Sequence, residues 1–288
     1  MQAAPVVSES FLSRLPELPE ISNGFTPIIR AIYMPDASSQ DFVATLSSDK
    51  KISTKILQLC NSAFYNFNRK VPGIQLAFNL LGGSVLRSLA VLSVLDPNLL
   101  QEPLVGYNIK NGEFWEHLYI TAVCSRYIAE VVDYPEPEEA FCAGLIHDIG
   151  KIILNNYAFP HLRQAMNMTV MKGYPLWEAE RQACGIDHAE ISAKIAENWG
   201  LPDSFVQPIK YHHESEKITD NQLLGAILHA ANVASIILSQ GRQDYYLKWV
   251  SQETLDALQI NDEQLADIIG QLGDEVSYAW NLFEAKGS

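Results

Sequence analysis

Cysteine is scarce in this chain of 288 residues. Cys60, Cys124, Cys142 and Cys184 stand far apart and none belongs to a CxxC pair. A small disulfide scaffold is therefore not implied, and a reducing cytoplasmic setting fits best. Long apolar runs are also lacking. The best stretch, 226–238, contains His229 and Asn232 and falls short of the ~20 residues that cross a bilayer, so no membrane contact is expected. The N-terminus shows no basic start followed by an apolar run, which argues against a secretory leader. Strand alternation, internal repeats and low-complexity tracts are absent as well.

Positive charge is in short supply, and unevenly so. The formal net charge is −14, yet residues 1–105 hold eight acids and eight bases. Residues 106–288 hold 26 acids and 12 bases and account for the whole imbalance. Such a field repels a phosphate backbone, so direct nucleic-acid binding is not expected. A phosphorylated small molecule would need a metal or a local basic patch beside it. With 48% hydrophobic and 19% charged residues the composition is that of a globular protein. A chain of this length buries roughly 75% of its extended surface and accommodates two modest domains.

What is present is helical patterning broken by turns. Residues 1–24 form a lead-in rich in Pro, Ser and Glu. Asp41 to Leu46 opens a helix, and Ile52, Ile56 and Leu59 mark a second at spacings of four and three. A third runs over 74–81 and stops at Gly82-Gly83. Ser84 can cap a fourth, with Leu86, Leu89, Ala90 and Val94 on its buried face. A DNA-reading helix pair is the weaker interpretation, since Arg87 is its only basic side chain. Breakers between Asp96-Pro97 and Asn111-Gly112 mark a junction, which divides the chain into 1–105 and 106–288. Beyond it helices are predicted over 113–131, 138–155, 161–172, 175–184, 188–199, 204–213, 221–238 and 263–284.

The second region carries His117, His147-Asp148, His188 and His212-His213, with Asn232 as an imperfect seventh position. Imidazole and carboxylate donors suit one or two divalent transition metals, Fe, Mn, Zn or Ni. His117 shares a helical stripe with Phe114, Thr121, Cys124 and Ile128, and His188 one with Ile191, Ser192, Ile195 and Trp199. Neighbours on a helix project about 100° apart, so His147 and Asp148 reach one ion only if it lies between their directions. Gly144, one turn earlier, allows close approach by another element. Asp148 and Lys151 are the catalytic candidates: three residues apart, they share a face, and the lysine can pair with a substrate phosphate or with Asp148 itself. A single histidine on an apolar face is commonly core filler, but five of them with an aspartate would be costly to bury unpartnered. His161 and His229 are expected to be structural, with His229 one turn before Asn232 and able to orient a neighbour.

The segment Gly144-Leu145-Ile146-His147-Asp148-Ile149-Gly150-Lys151 resembles the hallmark of the HD metal-dependent phosphohydrolase superfamily. His188, His212-His213 and then Asn232, where that superfamily has aspartate, continue the order. A closer resemblance is to the HDOD domain of bacterial signalling proteins. It rests on Leu15-Pro16 with Leu18-Pro19, on the runs from Ile56 to Tyr65 and from Gln75 to Gly82, and on Phe114-Trp115-Glu116-His117. Asp187-His188-Ala189-Glu190 leading to Trp199-Gly200-Leu201-Pro202 completes it, so that the likeness spans roughly residues 12–238. The resemblance implies an all-α fold in which an N-terminal helical subdomain packs against a modified HD-like helical core. It also implies a regulatory or protein-interaction role in signal transduction. The sequence departs from the HD-GYP phosphodiesterases after His212-His213-Glu214, where Ser215-Glu216-Lys217-Ile218 replaces Gly-Tyr-Pro.

Three functions follow as expectations. One is a signalling output module acting on a protein partner, with or without a metal. The second is a metal-dependent phosphohydrolase of a nucleotide or other phosphoester. The third is a protein in which an ion only braces helices. The C-terminal segment with Leu265, Ile269, Val276 and Trp280 either covers its own core or carries a homo-oligomer interface.

Overall fold

The computed structural model describes residues 38–61, 67, 69–94, 102–240 and 243–284. Among these every extended element is a helix, and strand pairing is confined to the isolated bridge Leu104↔Ile109. The Pro-rich lead-in, residues 62–65 of the family-like run, and positions 96–101 of the junction lie outside the described residues.

Three helices form the N-terminal subdomain. Helix α1 (Ser39–Ser48) starts at Ser38, whose hydroxyl accepts the Asp41 amide at 3.2 Å. Helix α2 (Lys50–Cys60) starts at Asp49, whose carboxylate accepts the amides of Lys51 and Ile52. Both caps satisfy first-turn donors that the helix leaves open. Ile52, Ile56 and Cys60 are the fully buried positions of α2, while Leu59 is half-buried. The Asn61 side chain clamps both backbone groups of Val71 and so returns the chain towards α3 (Ile74–Val94). The expected stop at Gly82-Gly83 is a kink: Gly82 adopts φ 81°, a conformation open to glycine, and helix continues on both sides. Leu86, Leu89 and Ala90 are buried as their spacing predicts. Arg87 lies over the Phe42 ring, within the packing of α1 on α3. Helix α3 also packs on α5 and joins the subdomain to the rest.

The HD-like core is built around α4 (Glu113–Val131), α5 (Pro137–Ile146) and α11 (Gln222–Gln240). Around them stand α6 (Gly150–Tyr157), α7 (Phe159–Lys172), α8 (Leu176–Cys184), α9 (His188–Asn198) and α10 (Asp203–Lys210). The short α12 (Gln243–Tyr246), α13 (Gln252–Leu258) and the long α14 (Asp262–Glu284) complete the described residues. Helices α12 and α13 have no counterpart in the sequence expectation. Helix α4 meets α5, α11 and α14. Gly144 lets α5 approach α4 closely: a Cβ there would sit 2.6 Å from the Ala122 Cα.

Two corrections concern helix ends. The helix expected over 138–155 is divided, because residues 147–149 form a turn between α5 and α6. The helix expected over 204–213 stops at Lys210, leaving Tyr211, His212 and His213 in a turn. The His147-Asp148 and His212-His213 pairs therefore sit just past a helix rather than on it. At the first turn the cause is a distant side chain: the Gly150 amide donates to Ser192 Oγ at 2.9 Å instead of to a carbonyl one turn back. Gly150 also packs so tightly on α9 that a Cβ would lie 2.1 Å from the His188 carbonyl oxygen.

Helix α11 revises the estimate of apolar length. It has 19 residues and is long and apolar enough to cross a membrane by those two measures, but 72% of that stretch is buried inside the fold. It is a core helix that meets α4, α5, α10, α12, α13 and α14. Leu265, Ile269 and Val276 of α14 are buried against the same chain, where α14 meets α4 and α11. The segment thus covers its own core; the side chain of Trp280 lies outside the described ones.

Candidate metal centre

All six predicted histidine and aspartate positions come together. Asp148, His188, His212 and His213 form one group with donor atoms within 4.8 Å of one another, and His117, His147 and Asp148 form another. The Asp148 carboxylate is shared between them. Its Oδ1 lies 3.1 Å from His188 Nε2 and 3.7 Å from His212 Nε2. Its Oδ2 lies 3.1 Å from His117 Nε2, 3.4 Å from His147 Nε2, and in short contact with Lys151 Nζ. The break between α5 and α6 makes this convergence attainable, since two adjacent side chains of a continuous helix would diverge.

Backbone and side-chain acceptors outside the cluster fix the rings. His147 Nδ1 donates to the Gly144 carbonyl and His212 Nδ1 to the Ile209 carbonyl, each at 2.8 Å. Ser235 Oγ donates to the Asn232 carbonyl and is left to accept from His117 Nδ1 at 3.2 Å. Glu180 Oε2 accepts from His188 Nδ1 at 2.6 Å and from the His188 amide at 2.9 Å. Four imidazoles thus commit Nδ1 outward and aim Nε2 at Asp148, the tautomer following from the partner. His229 donates from Nδ1 to the His212 carbonyl at 2.6 Å, so it supports the turn that carries His212.

Several buried atoms have no hydrogen-bonding partner. His147 Nε2, His212 Nε2 and Asn232 Oδ1 are buried and accept nothing. His188 Nε2 and His213 Nε2 face each other at 2.9 Å, and two lone pairs at that distance need a proton or a cation between them. Buried acceptors without donors are costly, and divalent ions held by the two donor groups would satisfy those of the imidazoles. The residues fit a metal: nitrogen and carboxylate donors converge while their outer atoms are already engaged.

Electrostatics agrees with that donor set. Burial pushes the His147 imidazole down to about 3, reinforced by His117 and Lys151, although Asp148 opposes the shift. His212 and His213 are held well below the usual range by burial and by neighbouring imidazoles. Burial works against the Asp148 carboxylate, but His147, Lys151 and His188 overcome it and hold the group ionised far below its ordinary range. His188 is the exception. Burial lowers it, yet Glu180 and Asp148 outweigh burial and raise it to about 9.

The surroundings tie the ligand-bearing loops together. Asp187 caps α9 by accepting the Glu190 amide at 2.8 Å, and Arg181 bridges Asp187 and Glu214 at 2.5 and 2.8 Å. The Trp177 ring stacks near-parallel to His213, 6.3 Å between centroids. Glu180, Ser192 and Ser235 were not among the sequence candidates. Ser192 lies on the helical stripe of His188, and Glu180 leaves a signal as an acid spaced four residues from both Leu176 and Cys184.

A model of the HDOD domain matches residues 15–215 of the chain. Over 209 residues the sequence is 26% identical to an uncharacterized protein of Treponema pallidum (strain Nichols); the match takes in 72% of this chain but 40% of that one. The chain therefore spans well under half the length of the curated relative. Its fold is similar to that of an HDOD domain protein of unknown function from Geobacter sulfurreducens, with TM-score 0.72, 19% identity and 94% of each chain covered. It is similar also to a candidate phosphohydrolase from Shewanella amazonensis SB2B, with TM-score 0.70, 23% identity, and 94% of this chain and 98% of that one covered. A candidate signal transduction protein from Marinobacter aquaeolei VT8 gives TM-score 0.69 at 21% identity, over 96% of this chain and 61% of that one. At these identities the likeness establishes the fold.

Proposed function

The chain belongs to the HDOD domain family, and on that premise we propose that it is a signal-transduction output module whose core is braced by a divalent transition metal and which acts on a protein partner. The observation that carries this reading is the buried Asp148 carboxylate, contacted by five surrounding groups from four directions of the fold. His147, Asp148, His188 and His212 are essentially inaccessible, and His117 retains only 20% side-chain exposure. Lys151 is engaged by Asp148 rather than held out for a phosphate. Asn232, a neutral amide, offers a weaker cation ligand than carboxylate. These features suit an ion that fixes the relative positions of α4, α5, α9 and α10 for presentation to another protein. The free, buried cysteines suit a reducing cytoplasm.

One observation favours a second reading. Asp148 presents Oδ1 to one donor group and Oδ2 to the other, the arrangement of a carboxylate shared by two ions. A metal pair so held would lower the pKa of bound water and offset phosphoryl charge. In that case Asp148 would orient the site, and Lys151 would leave Asp148 to meet a nucleotide or other phosphoester.

Elemental analysis of protein purified without chelator, followed by a phosphoester screen on the same sample, separates the two. The first reading expects about one equivalent of transition metal and no turnover. Turnover abolished by both Asp148→Ala and His147→Ala would replace it with the second. Absence of stoichiometric metal would remove the bracing ion from both.

A further inference from the structure

Glu180 is buried completely and accepts three hydrogen bonds. Two come from His188, through its amide and Nδ1; the third comes from the Tyr107 hydroxyl, which donates to Oε1 at 2.8 Å. Three donors thus converge on its two carboxylate oxygens. Tyr107 is itself fixed. It ends the 3-10 turn Val105–Tyr107, whose Gly106 amide donates to Asn155 Oδ1 at 2.9 Å and whose Gly106 Cα lies so close to Leu162 that a Cβ would come within 2.5 Å of it. The Tyr107 ring also lies 5.9 Å from Lys151 Nζ, which contacts Asp148.

We infer that Glu180, held by Tyr107, is a positioning residue for His188, and that the pair ties the metal centre to the turn following the N-terminal helices. The inference rests on the proposed metal occupancy. A carboxylate on Nδ1 leaves Nε2 as the donor, fixes the ring plane and makes that nitrogen more basic. Tyr107 in turn fixes which Glu180 oxygen faces the imidazole. A shift of the turn would therefore reach the centre through two hydrogen bonds, on one side at His188 and on the other beside Lys151.

The test uses the full chain, freed of metal by dialysis against chelator and titrated with Co²⁺ in competition with a chelating dye. Wild type, Glu180→Gln and Tyr107→Phe are compared by affinity and by the visible Co²⁺ spectrum. Gln keeps the shape and an acceptor for His188 while removing the charge. Its Co²⁺ affinity is expected to fall about 10–100-fold, the usual cost of losing an outer partner of a ligand histidine, with a changed spectrum. Tyr107→Phe should move both readouts in the same direction by a smaller factor, about 2–10-fold. Variants that bind Co²⁺ with wild-type affinity and spectrum overturn the inference while the metal reading stands. A wild-type chain that takes up no Co²⁺ overturns the metal reading first and this inference with it. Should Glu180→Gln fail to fold, Tyr107→Phe decides the matter, because it removes one hydroxyl and leaves the ring packing in place.

Discussion

The interior of the N-terminal helices and the interior of the HD-like core are stabilised by different physics. Among described side chains of α1 to α3, the buried set is apolar apart from Ser93. In the core the buried set includes Asp148, Glu180, Asp187, Asn232 and four histidines besides hydroxyl groups. The first region gains by removing hydrocarbon from water, and its contribution is nearly independent of pH and of ions. The second pays to desolvate charges and recovers that cost only where every lone pair and proton finds a partner. A region built the first way tolerates neglect of electrostatic detail. One built the second way makes its stability conditional on protonation and on what occupies the centre.

The contrast is sharpest at Asp148. Replacing it with Asn should weaken divalent-metal affinity by more than about 100-fold, beyond the ~10–100-fold that an outer-shell change costs, and should leave Lys151 without its counter-charge. Hydrogen exchange should then rise around α5, α6 and α9 while α1 and α2 stay protected; equal loosening of both regions would break the distinction. The reciprocal variant is Ile56→Ala, at a position with no exposed surface. It should cost about 2–5 kcal/mol in denaturant unfolding and leave Co²⁺ affinity unchanged. A large change in affinity would show that the two interiors are coupled.

The smallest effect expected is a pH dependence of the metal-free protein. His188 is raised to about 9, so its stabilisation is present below the unfolded value of about 6.5 and is lost as pH rises through about 9. His147, His212 and His213 are lowered. Their neutral forms stabilise the fold above about 6.5, and that contribution is lost as pH falls below it. Melting temperature of chelated protein should therefore peak near about pH 6.5 and fall on both sides, more steeply in acid, where three groups act against one. Ile56→Ala should lower this curve without changing its shape. A flat profile would contradict the electrostatic account of the core.

Much of this contrast was legible in the order of residues. Ile52 and Ile56, Leu86 with Leu89 and Ala90, and the stripes of His117 and His188 follow helical spacing, and spacing is a local property. The ligand candidates were recognisable because their residue types and order are specific. Asn232 could be named, but its being buried without a hydrogen-bonding partner for Oδ1 could not. The short helices α12 and α13 were missed, since seven residues or fewer carry little periodic signal.

The sequence by itself therefore determined an all-helical chain, a charge-balanced first region, an acidic second one, and which side chains could bind an ion. Tertiary structure alone decided that 147–149 and 211–213 would leave the helix and bring His147, Asp148, His212 and His213 to a common point. At the first turn the deciding partner is Ser192, which takes the Gly150 amide across 42 residues of chain. Glu180 likewise acquires its role only when α8 lays it beside His188 and the Val105–Tyr107 turn brings a hydroxyl to its other oxygen. Local periodicity reports which face of a segment will be buried; it carries no information about which distant polar group will meet that face, because such pairings are fixed by packing across the whole fold.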